Sequence, residues 1–140
     1  MSRIFWDTNL FVYLFEDYKD LSQKTIALRR AMIRRGDQLL TSTMTLGELL
    51  VRPLQRNDHA TCRRYEEHLK RGAIMIPFDL AAARIYASLR QDRSLRAPDA
   101  VQLACAASAG VDLFVTNDNH LQGKHVSGIH FIAPVESVPL

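Results

Sequence analysis

Cysteine is scarce in this chain: Cys62 and Cys105 are the only two among 140 residues. Both fall inside helical patterns without partners at metal-ligand spacing, which excludes a disulfide scaffold and a thiolate zinc site. Reduced thiols of this kind point to a reducing compartment, and the cytosol is the expected location. No apolar run has the length of a membrane span. The apolar stretch Leu10–Phe15 is flanked by Asp7 and Glu16 and follows no basic segment, so it is not read as a secretory leader. Linkers, low-complexity tracts and internal repeats are also missing. So is any Ser/His/Asp or Cys/His arrangement that would suggest covalent catalysis.

What remains is an ordinary globular composition, 47% apolar and 24% charged. A chain of this length buries about 70% of its unfolded surface and needs no staples. The net charge of +3 and a pI near 9.1 permit an anionic partner without requiring one. Arg29, Arg30, Arg34 and Arg35 gather at one helix end, and Arg52, Arg56, Arg63, Arg64, Lys70 and Arg71 follow in the middle third. Some could contact phosphates, but such charges are more often a solvated face or a helix C-terminal dipole effect, and none is singled out for binding.

Short apolar runs alternate with longer amphipathic stretches, the pattern of strands covered by helices. Strands are expected at 4–6, 38–42, 73–76, 113–116 and 129–132. Helices are expected at 8–16, 21–35, 45–51, 58–71, 80–90 and 98–109. Gly36, Gly72 and Gly110 serve as stop signals, Pro53 closes the third helix, and Pro98 opens the last. These elements describe one α/β domain over residues 1–140, three-layered as helix-sheet-helix around a mainly parallel five-stranded sheet. Six alanines between 97 and 109 make the last helix thin enough to lie close against that sheet.

In an open parallel sheet, ligands bind beyond the carboxyl ends of the strands. The polar residues expected there are mostly acids. Asp7 follows the first strand and Asp118 the fourth. Glu48 lies in the helix entered from the second strand, and Asp99 opens the helix that leads into the fourth. Singly, each has a structural explanation: a helix cap, an Asx turn, a favourable helix dipole or a surface acid. Together they repel. Two carboxylates about 4 Å apart cost about 4 kcal/mol at an effective dielectric near 20, so four must take up protons or a cation. An all-oxygen donor set without paired His or Cys suits Mg²⁺, with Mn²⁺ as a substitute, better than zinc. Thr8, Asn9 and Thr116 are candidates to orient these carboxylates, or are ordinary cap and turn residues.

Asp7-Thr8-Asn9, Thr41-Ser42-Thr43-Met44-Thr45-Leu46-Gly47-Glu48, Pro98-Asp99-Ala100-Val101-Gln102-Leu103-Ala104 and Leu113-Phe114-Val115-Thr116-Asn117-Asp118 occur in this order. With these four motifs the chain resembles the PIN-domain nucleases, most closely the small VapC-type toxins of bacterial toxin-antitoxin pairs, over nearly its whole length. Leu121 departs from the pattern where an aromatic is frequent. The resemblance implies a PIN-like fold, divalent-metal dependence and endonucleolytic cleavage of RNA. It also implies a protein antitoxin that masks the site and a homodimer.

The expected mechanism is hydrolysis by metal-activated water. Asp7 and Asp99 are the principal ligands of the first metal, Glu48 binds directly or through water, and Asp118 completes the site by holding a second metal or orienting the attacking water. Three alternatives stand beside it. One is a metal-free ribonuclease using His59, His68, His120, His125 or His130. The others are a receiver-like signalling domain and a PIN-like module retained only for binding.

Overall fold

The computed structural model describes residues 1–140. In chain order the elements are β1 (Arg3–Trp6), α1 (Thr8–Phe15), α2 (Asp20–Arg35), β2 (Gln38–Ser42), α3 (Thr43–Gln55), α4 (His59–Gly72) and β3 (Ile74–Ile76). They continue with α5 (Leu80–Leu89), α6 (Ala97–Ala109), β4 (Val111–Val115) and β5 (Ile129–Ala133). The strands form one sheet in the order β3-β2-β1-β4-β5, and every neighbouring pair is parallel. This order differs from the 2-1-3-4-5 arrangement of receiver domains, so the receiver-like alternative is excluded. No helix is long and apolar enough to cross a membrane.

Strand alternation separates two cores. Phe5, Leu40 and Phe114 point to the layer containing α5 and α6, where Phe5 and Phe114 stack with ring centroids 5.1 Å apart. Ile4, Trp6, Leu39 and Val115 point to the other face, against Leu10, Phe11, Leu28, Met32, Leu49 and Leu69 of helices α1 to α4. On the first face, Ala100, Ala104, Ala106 and Ala107 of α6 are buried, and the helix crosses β2, β3 and β4. Leu121, the departure from the family pattern, is fully buried in this same core. A face rich in alanine, with Gln102, Leu103 and Cys105 set into it, lets helix and sheet approach closely.

Two backbone features depend on glycine. Gly36 ends α2 in the left-handed conformation, as the stop signal predicts. Gly128 has φ +98, and a Cβ there would lie 2.6 Å from the carbonyl oxygen of Ala107, so β5 can enter the sheet only over a residue without a side chain.

The sequence places α3 at 45–51 and closes it at Pro53, but the helix runs from Thr43 to Gln55 with Pro53 buried inside it. Ser42 caps its start by accepting from the Thr45 N–H at 3.3 Å. Pro53 falls in the last turns, where the missing N–H costs one hydrogen bond, and its own carbonyl accepts from Arg56 at 3.1 Å and Asp58 at 2.8 Å.

Candidate active site

The chain winds outward from β1 through β2 to β3 and then returns to place β4 on the other side of β1. The switch point therefore lies between β1 and β4. The register pairs Trp6 with Val115. One residue further on come Asp7 and Thr116, and the Asp7 N–H still donates to the Val115 carbonyl at 3.0 Å. The sheet ladder thus sets the depth of the first acid.

Asp7 caps α1. Its Oδ1 accepts from the Thr8 N–H at 2.9 Å and its Oδ2 from the Thr116 hydroxyl at 2.8 Å. The residue is 8% exposed. Burial pushes its carboxyl up to about 6; the hydrogen bonds from Thr116 and Thr8 oppose this, and the charges of Asp99 and Glu48 add to it. No cationic side chain contacts it. Asp7 is a buried acid solvated by hydroxyl and amide groups, within the field of two other acids.

Glu48 is held from the α1 side, its Oε1 accepting from the Thr8 hydroxyl at 2.6 Å. Asp118 is tied to the Thr116 hydroxyl through its own N–H at 3.1 Å, and its Oδ1 accepts from the His120 N–H at 2.9 Å. Thr116 therefore links Asp7 to Asp118. Asp99 sits in the first turn of α6, where burial and the charge of Asp118 hold its carboxyl above the usual range while Arg96 and His120 oppose them. Its Oδ2 is buried and has no hydrogen-bond partner. Asn9 differs from its two neighbours in the motifs: its Oδ1 is buried without any partner and bonds to none of the acids.

The sequence does not single out Gln102, yet it is the hub of this region. It is 2% exposed, lies three residues after Asp99 on α6, and interrupts an otherwise alanine-rich buried face. Its Nε2 donates to Thr45 Oγ1 at 2.8 Å and Thr8 Oγ1 at 3.0 Å and approaches Asp7 Oδ1 at 3.4 Å; its Oε1 accepts from the Ser42 hydroxyl. Because Nε2 can only donate, the Thr8 hydroxyl hydrogen is left free for Glu48. A lone amide among alanines was the available signal, since a buried polar group demands partners.

Asp7, Glu48, Asp99 and Asp118 are the groups at this end that could hold a cation. They do not form a closed cage, because no three His, Cys, Asp or Glu side chains converge to metal-holding distance. Each acid is instead engaged locally: Asp7 by two threonines, Glu48 by Thr8, Asp118 by a backbone N–H and Asp99 by Arg96. Mg²⁺ keeps several waters and commonly takes only one or two carboxylates directly, so an open arrangement suits it. Among the histidines, His120 comes nearest the acids, and its Nε2 bonds to the Ser94 carbonyl at 2.7 Å.

The sequence pattern of the PIN domain matches residues 4–124. No curated protein matches by sequence. Among solved structures, the chain is similar to VapBC2 from Rickettsia felis, bound there to a promoter DNA fragment, with TM-score 0.75 and 14% identity over 94% of this chain and 98% of that one. It is also similar to FitAcB from Neisseria gonorrhoeae, with TM-score 0.70 and 20% identity over 96% and 99% of the two chains. For VapBC-5 of Mycobacterium tuberculosis, a member of the VapBC toxin-antitoxin family, the TM-score is 0.62 and the identity 24% over 95% and 99%. At these identities the likeness is one of fold.

Proposed function

Because the chain belongs to the PIN domain family, we propose that it is a nuclease that hydrolyses RNA phosphodiester bonds internally with Mg²⁺ or Mn²⁺, acting as the toxin of a toxin-antitoxin pair. The observation that carries this is Asp7: buried at the sheet switch point, free of any cationic partner, and pushed up to about 6 with Asp99 and Glu48 nearby. A buried acid so placed is a liability to the fold unless something positively charged uses it. The toxin assignment is supported by the likeness to structures from toxin-antitoxin complexes.

Asp7 and Asp99 would hold the ion, Glu48 would reach it directly or through water, and Asp118 would complete the set. The Oδ2 of Asp99, which accepts no hydrogen bond, and the all-oxygen character of the donors fit a hard cation. When bound, the ion supplies Lewis acidity and a water of lowered pKa. The protein's share is orientation. Thr116 aligns Asp7 and Asp118 through one hydroxyl, donating to the first and accepting from the N–H of the second. Gln102 commits Thr8 as an acceptor, so that the Thr8 hydroxyl points its hydrogen at Glu48 and fixes that carboxylate's rotamer. Thr41 and Ser42 at the end of β2 complete the network, Thr41 reaching the Trp6 carbonyl at 2.9 Å and Thr45 at 2.8 Å.

The test is RNA cleavage with Mg²⁺, with Mn²⁺ and with EDTA, comparing the parent with Asp7→Asn and Asp99→Asn after both variants are shown to fold. Cleavage that needs a divalent ion and both acids supports the proposal. Full activity in EDTA would return the histidines to consideration, and a folded, metal-binding protein that cuts nothing would be the silent binding module.

A further inference from the structure

The pair Asp99 and Asp118 is neutralised differently from Asp7. Arg96, at the N-cap of α6, places Nε 3.6 Å from Asp99 Oδ2 and Nη2 4.0 Å from Asp118 Oδ2. Both separations are ion-pair distances too long for hydrogen bonds. The Arg96 side chain is 79% exposed, whereas the two carboxylates are 16% and 28% exposed. A charge this exposed is held by Coulomb attraction alone and is free to leave.

Its backbone has no such freedom. Leu95 is 3% exposed in the core beside it, and Ala97 begins the helix. The preceding segment is bonded to the loop that follows Asp118: Lys124 Nζ reaches Asp92 at 2.8 Å and Ser94 Oγ at 2.6 Å, and His120 Nε2 reaches the Ser94 carbonyl at 2.7 Å. Arg96 is therefore an exposed cationic head on a fixed base, aimed at two of the four acids.

We infer that Arg96 is a resident counter-ion which a divalent cation must displace from Asp99 and Asp118, so that this one side chain sets the metal affinity of the site. The inference rests on the nuclease proposal for the same acids. A single positive charge near a doubly charged ion opposes binding, and solvent reduces that opposition without abolishing it. Arg96→Gln is accordingly expected to bind Mn²⁺ about three- to tenfold tighter than the parent. Arg96→Lys keeps the charge and stays near the parent value, and the gap between Gln and parent narrows as salt rises.

Mn²⁺ titration followed by the resonance of the free ion reads this without any substrate, and thermal unfolding confirms that each exposed-site variant is folded. Tighter binding by Arg96→Gln, with Arg96→Lys unchanged, supports the inference. Equal or weaker Mn²⁺ binding by folded Arg96→Gln overturns it. If the parent then still binds Mn²⁺ and Asp99→Asn does not, the nuclease proposal survives that failure; a parent that binds no Mn²⁺ takes both down together.

Discussion

At the amino ends of the strands, acids stitch the sheet together; at the carboxyl ends, acids of the same type are left short of positive charge. Asp37, before β2, accepts from the Ser2 N–H at 2.9 Å and from Arg35 Nε at 2.9 Å. Asp112 in β4 accepts from the Arg3 N–H at 2.8 Å and lies 3.5 Å from His130 Nδ1. Both tie β1 to a neighbouring strand. A cleft of about 650 Å³ opens here and is lined by Asp37, Asp112, His130 and Phe131 among others. At the other end, Asp7 has only hydroxyl and amide partners, and Asp99 and Asp118 share one exposed arginine. Concavity and unsatisfied charge therefore point to opposite ends of the sheet. The state of the charges separates structural acids, already satisfied by the chain, from acids awaiting a ligand.

Substitution tests this division most sharply. Asp7→Asn and Asp99→Asn are expected to lower RNA cleavage by about 10²-fold or more, in the range seen when one preorganised electrostatic group is removed. In metal-free buffer they should unfold no more easily than the parent. A stable fold with lost turnover, read by single-turnover cleavage and thermal melts together, is the signature of the carboxyl end.

The pH dependence of the metal-free protein gives the next effect. The folded Asp7 carboxyl titrates at about 6 and the unfolded one at 3.8. Between these values the folded state binds more protons, so this group's contribution to stability is greatest below the unfolded value and is lost as pH rises through about 6. The loss is about 3 kcal/mol. Urea melts from pH 4 to 7 should show it in the parent and not in Asp7→Asn, which should be the more stable of the two at pH 7. Saturating Mg²⁺ should restore the parent and leave the variant unchanged. Parallel pH profiles for the two proteins would remove Asp7 from this role.

Gln102→Leu fills the same space but leaves the Ser42, Thr8 and Thr45 hydroxyls to find new partners. An expected loss of about 10- to 100-fold in cleavage and about 1–3 kcal/mol in stability would place it between the two classes. Smallest are the amino-end acids. Asp37→Asn should cost about 1–2 kcal/mol by removing a charge-assisted bond while cleavage of folded protein stays at the parent level. A large catalytic loss there would erase the distinction between the two ends.

Much of this architecture could be read from the chain alone. Apolar runs and glycine or proline stops locate all five strands and six helices to within a few residues, because buried parallel strands and amphipathic helices leave periodic signatures. Alanines in α6 correctly imply close contact with the sheet. The error at Pro53 arose because proline is incompatible with the interior of a helix but tolerable near its end, where one lost bond is outweighed by packing of the buried ring. The four acids can be named from their places after strands and at helix starts. Gln102 could not be assigned from spacing, since its partner Thr45 lies 57 residues away, and spacing offers Arg96 only its i,i+3 pair with Asp99 and not the approach to Asp118, 22 residues on. Nor does spacing reveal that no three of the acids converge, Thr8, Thr116 and Arg96 each bridging two of them instead.

The alanine-lined contact between α6 and the sheet has a further consequence. Gln102 rides on that helix, and its amide reaches Thr45 and Thr8 at 2.8 and 3.0 Å. The small residues that seat α6 thus help to set the height of the amide. Replacing one of them by a branched side chain would lift the whole lever away from the threonines it grips, detuning Glu48 from the far side of the molecule without touching an acid. The placement of Glu48 thus depends on some of the smallest hydrophobic residues in the chain.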